Sequence, residues 1–449
     1  MNIEKTPVGL GYRALRIFGD IRPGEGPTVF LLALNIFLIM ANYYIIKPIR
    51  DAWMVSYSDK GPNFKSYLGA VIAVLLIFVV KAFSKIASRV PRQILITQVT
   101  LAFIATLAIF YILNLLNVPM LGVFFFLWAG IISLLLPAQL WGFANDIYRE
   151  DVGKRVFPFI AFGAATGSIA GSTLTGKLIP IVGRFNLMLV GAAILGTSIG
   201  LTWIIHKREI RRIEDKKSGA AAQKIHEQPL KPGGGFQLVF KSRYLLYIAI
   251  LIIFLNWANT LGQFMLDTVF KRAAGDAIKT GATILNEGNY LGQLYANFFL
   301  KVNIAVLIIQ LFVVSRVFKW LGVRGAIFFL PMISLGGYFF VSLGATLLAV
   351  SWTKFFENAM DYSLMNTTRG ALYLITSREE KYKAKAAIDT LFVRVGDLLS
   401  ALTVFLGTTY LAFRTENFAM LNVVVAVVWL IMAVLIVREH KKKSALLTT

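Results

Sequence analysis

The chain has 449 residues, of which 57% are hydrophobic and 15% charged, and a mean hydropathy of +0.69. That composition is too apolar for a water-soluble globular domain and excludes a fibre or a disordered tail. A net charge of +23 would point to nucleic acid in a soluble domain, but most of the excess lies between apolar spans, where basic residues set topology against a cytoplasmic leaflet. No nucleic-acid partner is expected.

Twelve apolar runs are long enough to cross ~30 Å of hydrocarbon at 1.5 Å per residue. They cover roughly 28–46, 67–84, 93–113, 117–141, 156–178, 185–206, 244–267, 290–315, 325–342, 346–366, 387–411 and 418–437. The runs are apolar on most faces, unlike the ~10-residue alternating segments of a membrane β-barrel. The expected fold is therefore an all-α integral membrane protein with twelve transmembrane helices in two six-helix halves. The first 27 residues hold four basic residues and no signal-type apolar core, so the N-terminus reads as retained. With both termini cytoplasmic, the inner segments carry 33 of the 46 Lys and Arg and the outer loops 9, which supports that orientation. The absence of a transit-type extension points to a multi-pass protein of a bacterial inner membrane.

Residues 207–243, with KREIRRIEDKK and PGGG, divide six spans from six. The expected domains are 1–206, a basic cytoplasmic linker at 207–243, and 244–449. Two six-span halves joined by a basic loop is the plan of the major facilitator superfamily, whose halves rock about a midplane site. Gly163, Gly167 and Gly171 are spaced by four and predict close helix packing.

There are no cysteines, which excludes disulfides, thiolate chemistry and cysteine-ligated metal. His206, His226 and His440 lie at a span end, in a loop and in the tail, and no HExxH or GxSxG occurs. No enzyme activity and no cofactor are expected. GSTLTGKL at 171–178 approaches a phosphate-binding loop but ends in Leu and lies in an apolar span, so transport would be secondary rather than ATP-driven.

The informative residues are the charges inside spans, each costing ~2.5 kcal/mol or more to insert. Lys47, Arg50 and Asp51 end the first span behind Tyr43 and Tyr44, either as a site or as a snorkelling interfacial cluster. Lys354, Glu357 and Asp361, spaced three and four, make one stripe on the tenth, with Arg369 following; the stripe faces a cavity or pairs with another span. The eleventh carries Asp389, Arg394 and Asp397, and Lys301 stands in the eighth. Several fixed cations facing a cavity imply an anionic substrate. Tyr43, Tyr44, Trp141, Phe143 and Tyr373 could stack a base, although packing and interface anchoring are commoner uses of such rings.

The stretch LLPAQLWGFANDIYREDVGKRVFPFIAFGAATG at 135–167 resembles the WGFAN, KR-F-P and GxGA pattern of the ATP/ADP translocase (nucleotide transporter) family of plastids and obligate intracellular bacteria. KYKAKAAID at 381–389 is similar to that family's KGKAAID signature, and YYIIKPIRDAWMV at 43–55 to its first-span segment. The resemblance implies a major-facilitator-like fold exchanging nucleotides, typically ATP for ADP, or importing them with an ion. It also matches Lys47 to a first-span Arg, Arg50 and Asp51 to a Lys-Asp pair, and Trp141 and Asn145 to WGFAN. Lys154 and Arg155 match the KR, Arg369 a basic residue after span ten, Lys385 and Asp389 the KGKAAID, and Arg394 an Arg of some bacterial members.

Departures fall at Ala129, where a Glu is expected, at Asn259 and Gln263 in place of E-x-x-x-K, and at Asp397 in place of a Lys. They change the charge a substrate would meet and mark a divergent member. The expected substrate-contacting set is Lys47, Arg50, Asp51, Asn145, Lys354, Arg369, Asp389 and Arg394, with Lys47, Arg50, Arg369 and Arg394 holding phosphates. Asp51, Asp389 and Asp397 would reset the empty cavity or take a coupling proton. The expected partners are the bilayer, a nucleotide or other phosphorylated anion, and a coupling proton or a counter-exchanged nucleotide or phosphate. The rival reading is a same-fold, proton-coupled transporter of another organic anion or a siderophore-like metabolite, which the missing acids favour.

Overall fold

The computed structural model describes residues 25–87, 90, 92–148, 150–217, 234–377 and 379–446. The predicted cytoplasmic N-terminus, up to residue 24, and the middle of the predicted linker, 218–233, lie outside the described residues. All regular structure among the described residues is helical. The first helices are α1 (Gly26–Val55), α2 (Gly61–Ala87), α3 (Arg92–Leu115), α4 (Leu121–Ile147), α5 (Glu150–Val182) and α6 (Asn186–Lys217). After a short α7 (Gly235–Lys241) come α8 (Arg243–Lys279), α9 (Glu287–Ile308), α10 (Val314–Ala326), α11 (Phe329–Leu343), α12 (Leu347–Met360) and α13 (Asn366–Leu372). The chain ends with α14 (Lys385–Ala387), α15 (Val393–Thr409) and α16 (Thr415–Leu446).

All twelve predicted apolar runs are helical, and ten helical runs among the described residues are long and apolar enough to cross a bilayer. The other two differ for identifiable reasons. Helix α11 has 15 residues, and the run beginning at α12 widens into a π turn at Asp361–Met365 before α13. Further π turns occur at Ile309–Val313, Glu380–Ala384 and Ile388–Phe392. Such turns shift the side-chain register within a helix and are frequent at functional sites. Two of the four begin at or next to a charge noted in the sequence: Asp361 of the stripe opens one, and Asp389 of the predicted site is second in another.

The chain forms two compact units, Met1–Arg50 with Val79–Ile225, and Asp51–Phe78 with His226–Thr449. In the first, the predicted glycine contacts are present. A methyl group on Gly163, Gly167 or Gly171 of α5 would land on the backbone oxygen of Ala33, Phe37 or Ala41 of α1, so these two backbones touch where lipid supplies no hydrophobic drive. Asn35 of α1 donates to Thr202 at 2.8 Å and accepts from Ser198, both on α6. These bonds satisfy polar atoms that would otherwise be stranded in an apolar interior. Phe103 of α3 stacks on Trp128 of α4 with ring centres 4.6 Å apart.

The second unit is built around α8, which has 37 residues and packs against α16, α15, α12 and α9. Its core includes Leu245, Ile248, Ile252, Leu255 and Trp429. Gly396 of α15 brings that helix against the backbone of α8 at Ile253 and Trp257. Tyr244 donates to the Leu372 carbonyl at 2.8 Å, tying α8 to the end of α13.

Candidate functional site

In the first unit, α1 carries Lys47 and Arg50 one turn apart, and both line a narrow cavity with Asn42, Tyr43, Phe103 and Ser133. The Lys47 amine lies 5.7 Å from the Tyr43 ring centre and 5.4 Å from that of Tyr44, and the two rings meet edge to face at 4.9 Å. The Arg50 guanidinium lies 5.2 Å from the Phe126 ring centre. Ring faces attract a cation electrostatically and stabilise it without occupying its hydrogen-bond donors. Ala129, at the position where the resemblance implies a Glu, lines the same cavity, so that departure removes a carboxylate from the wall that holds both cations.

Asn145 is exposed near the end of α4 and does not line this cavity. Trp141, one turn earlier, meets Phe157 edge to face at 5.9 Å. Arg155, from the same predicted motif, pairs with Glu25 at 3.1 Å.

In the second unit the charges are grouped differently. The Lys354 amine donates to Glu357 at 2.8 Å, to the Asn259 backbone carbonyl at 2.8 Å and to the Asn259 side-chain oxygen. Glu357 in turn accepts from Tyr338 at 2.6 Å and Ser334 at 3.3 Å, both on α11. Lys354 and Glu357 are each 1% exposed. Of the two alternatives for this stripe, its first two members pair internally with neighbouring helices. Gly262 makes this possible, because a methyl there would strike the Tyr338 hydroxyl. Asn259 also donates to Asp361 at 3.1 Å, so one residue of α8 bonds both Lys354 and Asp361 of the predicted stripe.

Arg369 and Arg394 are less enclosed. Arg369 pairs with Asp389 at 2.7 Å, and Arg394 with Asp397 at 2.9 Å; the two guanidinium side chains are 23% and 24% exposed. Asp397 also accepts from Thr260 at 2.8 Å. Each arginine therefore has one aspartate partner and an open flank, the arrangement in which a stronger anion can displace the carboxylate. Lys385 lies 5.9 Å from the Tyr373 ring centre, and Lys301 is exposed on α9.

Asp51, in the second unit, lies 3.5 Å from Lys65, which donates to Asp267 at 2.9 Å. Lys65, Asp267 and Tyr295, which no sequence argument singled out, meet here together with Gln263. The one available signal was the four-residue spacing of Gln263 and Asp267 on a helix face.

The fold is shared with experimentally determined transporter structures. The POT family transporter PepTSo is similar with a TM-score of 0.64 and 13% identity, over 93% of this chain and 98% of that one. The nucleoside transporter NupG gives 0.62 and 11%, over 91% and 98%. At such identity the likeness carries the fold, which is major-facilitator-like. An all-helical chain with ten helical runs long and apolar enough to cross a bilayer, charged side chains gathered inside its helical units and this fold is a multi-pass membrane protein.

Residues 119–440 match the family described as TLC ATP/ADP transporter, and the chain belongs to that family. ADP,ATP carrier protein 1 of Chlamydia pneumoniae is 23% identical, over 99% of this chain and 96% of the relative. The protein of the same name in Chlamydia trachomatis serovar D is 22% identical, over 83% and 80%.

Proposed function

We propose that the chain is a secondary active transporter of nucleotides, exchanging ATP and ADP or carrying related nucleotides by alternating access. The observation that carries this reading is the pairing of Lys47 and Arg50 in one cavity wall with the Tyr43 ring beside them. Two cations one turn apart suit a polyphosphate, and an aromatic face suits a base. Family membership supports the same substrate class.

Arg369 and Arg394 hold phosphate by exchanging their aspartates for substrate. Asp389 and Asp397 re-pair with them when the site empties, and Asp51 resets the empty state or takes a coupling proton. Lys354 orders the wall that presents Asn259, and Asn145 contributes a polar contact. The working division is 1–206, a basic linker at 207–243, and 244–449, in a bacterial inner membrane with both termini cytoplasmic. Ala129, Asn259 and Gln263 favour one rival, a proton-coupled carrier of a different organic anion on the same fold.

Thermal unfolding of purified protein against ATP, ADP, other nucleotides and simple organic anions separates the two, since ligands that bind the native state raise its apparent stability. ATP and ADP should stabilise the wild type. Arg50→Ala should keep the unliganded melting temperature and lose at least tenfold in nucleotide affinity, the weight of one charged hydrogen bond at about 1.5–3 kcal/mol. An unchanged response in Arg50→Ala removes that residue from the site. A response to another anion and to no nucleotide selects the rival.

A further inference from the structure

A buried ion cluster in which Lys65 and Asp267 have no part in the proposed substrate contacts joins two pairs of successive helices. Lys65 lies four residues into α2 and Asp51 four residues before the end of α1, so both flank the turn at 56–60. Asp267 is on α8 and Tyr295 on α9, the helices joined by the turn at 280–286. One Asp267 oxygen, Oδ1, accepts from Lys65 at 2.9 Å, from Tyr295 at 2.6 Å and from Gln263 at 2.8 Å. Asp51 Oδ1 lies 3.5 Å from the same lysine amine, which sits 5.0 Å from the Tyr295 ring centre. Asp51, Lys65, Asp267 and Tyr295 are all buried.

Residues 51–78 continue the first two helices of the chain, yet they form one compact unit with 226–449. The ion cluster ties them to it through Lys65 and Asp267. Tyr67 also packs edge to face on Phe405 with ring centres 6.1 Å apart and reaches Thr408 at 3.4 Å.

A permanent contact between membrane helices needs no ions. The glycine contact of α5 with α1 shows how this chain makes one, by letting backbones touch. A buried ion pair is poor cement, because desolvating its charges offsets most of their attraction. Its distinguishing property is that water can replace each partner once the contact is wetted, so the same pair can be made and broken between two discrete arrangements.

We propose that Lys65, gripped between Asp51 and Asp267, is a latch that holds residues 51–78 on the 226–449 body, and that it comes apart when the end of the protein bearing the 56–60 and 280–286 turns opens during transport. The proposal rests on the alternating-access part of the functional reading and not on the identity of the substrate. Tyr295 and Gln263 position Asp267 for the lysine.

The absence of cysteine makes the test direct. Spin labels at Asp59→Cys and Ile284→Cys, exposed residues in the two turns, report their separation by pulsed electron–electron resonance in lipid nanodiscs without nucleotide. The otherwise unchanged chain should show mainly one short-distance population. Lys65→Met and Asp267→Asn should each move the majority of molecules to longer distances, and Tyr295→Phe, which keeps every charge, should move a minority the same way.

Unchanged distances in folded variants overturn the latch and leave the cluster as fixed structure. Should Lys65→Met fail to fold, Tyr295→Phe decides: a shift supports the latch and no shift overturns it. Distances that respond in a protein showing no nucleotide binding would sink the substrate reading alone. Fixed distances in a protein that exchanges nucleotides would sink the latch alone.

Discussion

Lys47 and Lys354 are both amines inside long apolar helices, and the protein treats them in opposite ways. Lys47 rests beside two tyrosine rings and lines a cavity with Arg50. Lys354 is enclosed, with its amine donating to a carboxylate, a backbone carbonyl and an amide oxygen. An ammonium has three N–H donors, and the neighbours of Lys354 accept from all three. Both began as the same sequence signal, a cation where lipid is expected. What distinguishes the two is the chemistry of the neighbours: aromatic rings and a cavity wall for Lys47, oxygen acceptors on two helices for Lys354.

The largest effect that would break this comparison lies at Lys354. Lys354→Met removes the amine and leaves the buried Glu357 carboxyl with the Tyr338 and Ser334 hydroxyls but without its cation. Removing one partner of a buried pair costs about 3–5 kcal/mol. The variant should unfold well below the wild type in thermal or denaturant titration, and adding Glu357→Gln should recover much of the loss. A Lys354→Met protein as stable as the wild type would show that this stripe is not a structural pair.

A smaller effect sharpens the other side. Ala129 lines the cavity that holds Lys47 and Arg50, and Ala129→Glu would place a competing carboxylate in that wall. Nucleotide affinity should fall by about tenfold, equivalent to about 1.4 kcal/mol, while overpacking lowers stability by about 1–3 kcal/mol. Titration calorimetry on protein kept below its unfolding temperature separates the two. Unaltered affinity would place the phosphates elsewhere.

Much of this was legible in the sequence, for physical reasons that also mark where legibility ended. Membrane spans announce themselves by length and hydropathy, so all twelve runs appear as helices. The four-residue glycine spacing reads directly as backbone contact because nothing but a missing side chain permits it. The Lys65 cluster was hidden because hydropathy measures the apolar part of a helix and not the helix. Helix α2 begins at Gly61 and α8 continues to Lys279, whereas the apolar runs were read as 67–84 and 244–267. Lys65 was therefore counted as a loop charge and Asp267 as the edge of a span, although both are buried on helices. The π turns were equally hidden. No residue preference encodes them, and the one at Asp361–Met365 turns Asp361 toward the Asn259 amide.

The smallest effect tests the comparison at a third ion pair, one that reaches water. Glu380 pairs with Lys443 at 2.9 Å and accepts from the Ser377 backbone at 2.9 Å, while its own N–H donates to the Ser377 hydroxyl at 3.2 Å. This reciprocal arrangement is a capping box at the start of a helical segment. Partial burial pushes the Glu380 carboxyl up, but the bonds from Ser377 and Lys443 outweigh it and hold the group below its ordinary value. A carboxyl depressed in the folded state contributes stability above its unfolded pKa and loses it as pH falls through the folded one. Because the pair is partly solvated, its contribution should stay below about 1 kcal/mol and shrink with added salt. Glu380→Gln should therefore melt slightly below the wild type at pH 7, and the two curves should converge as the pH is lowered past the acid range of an ordinary glutamate. A gap that persists undiminished in acid would mean that the Ser377 bonds, which glutamine also makes imperfectly, carry the effect and that the Lys443 charge does not.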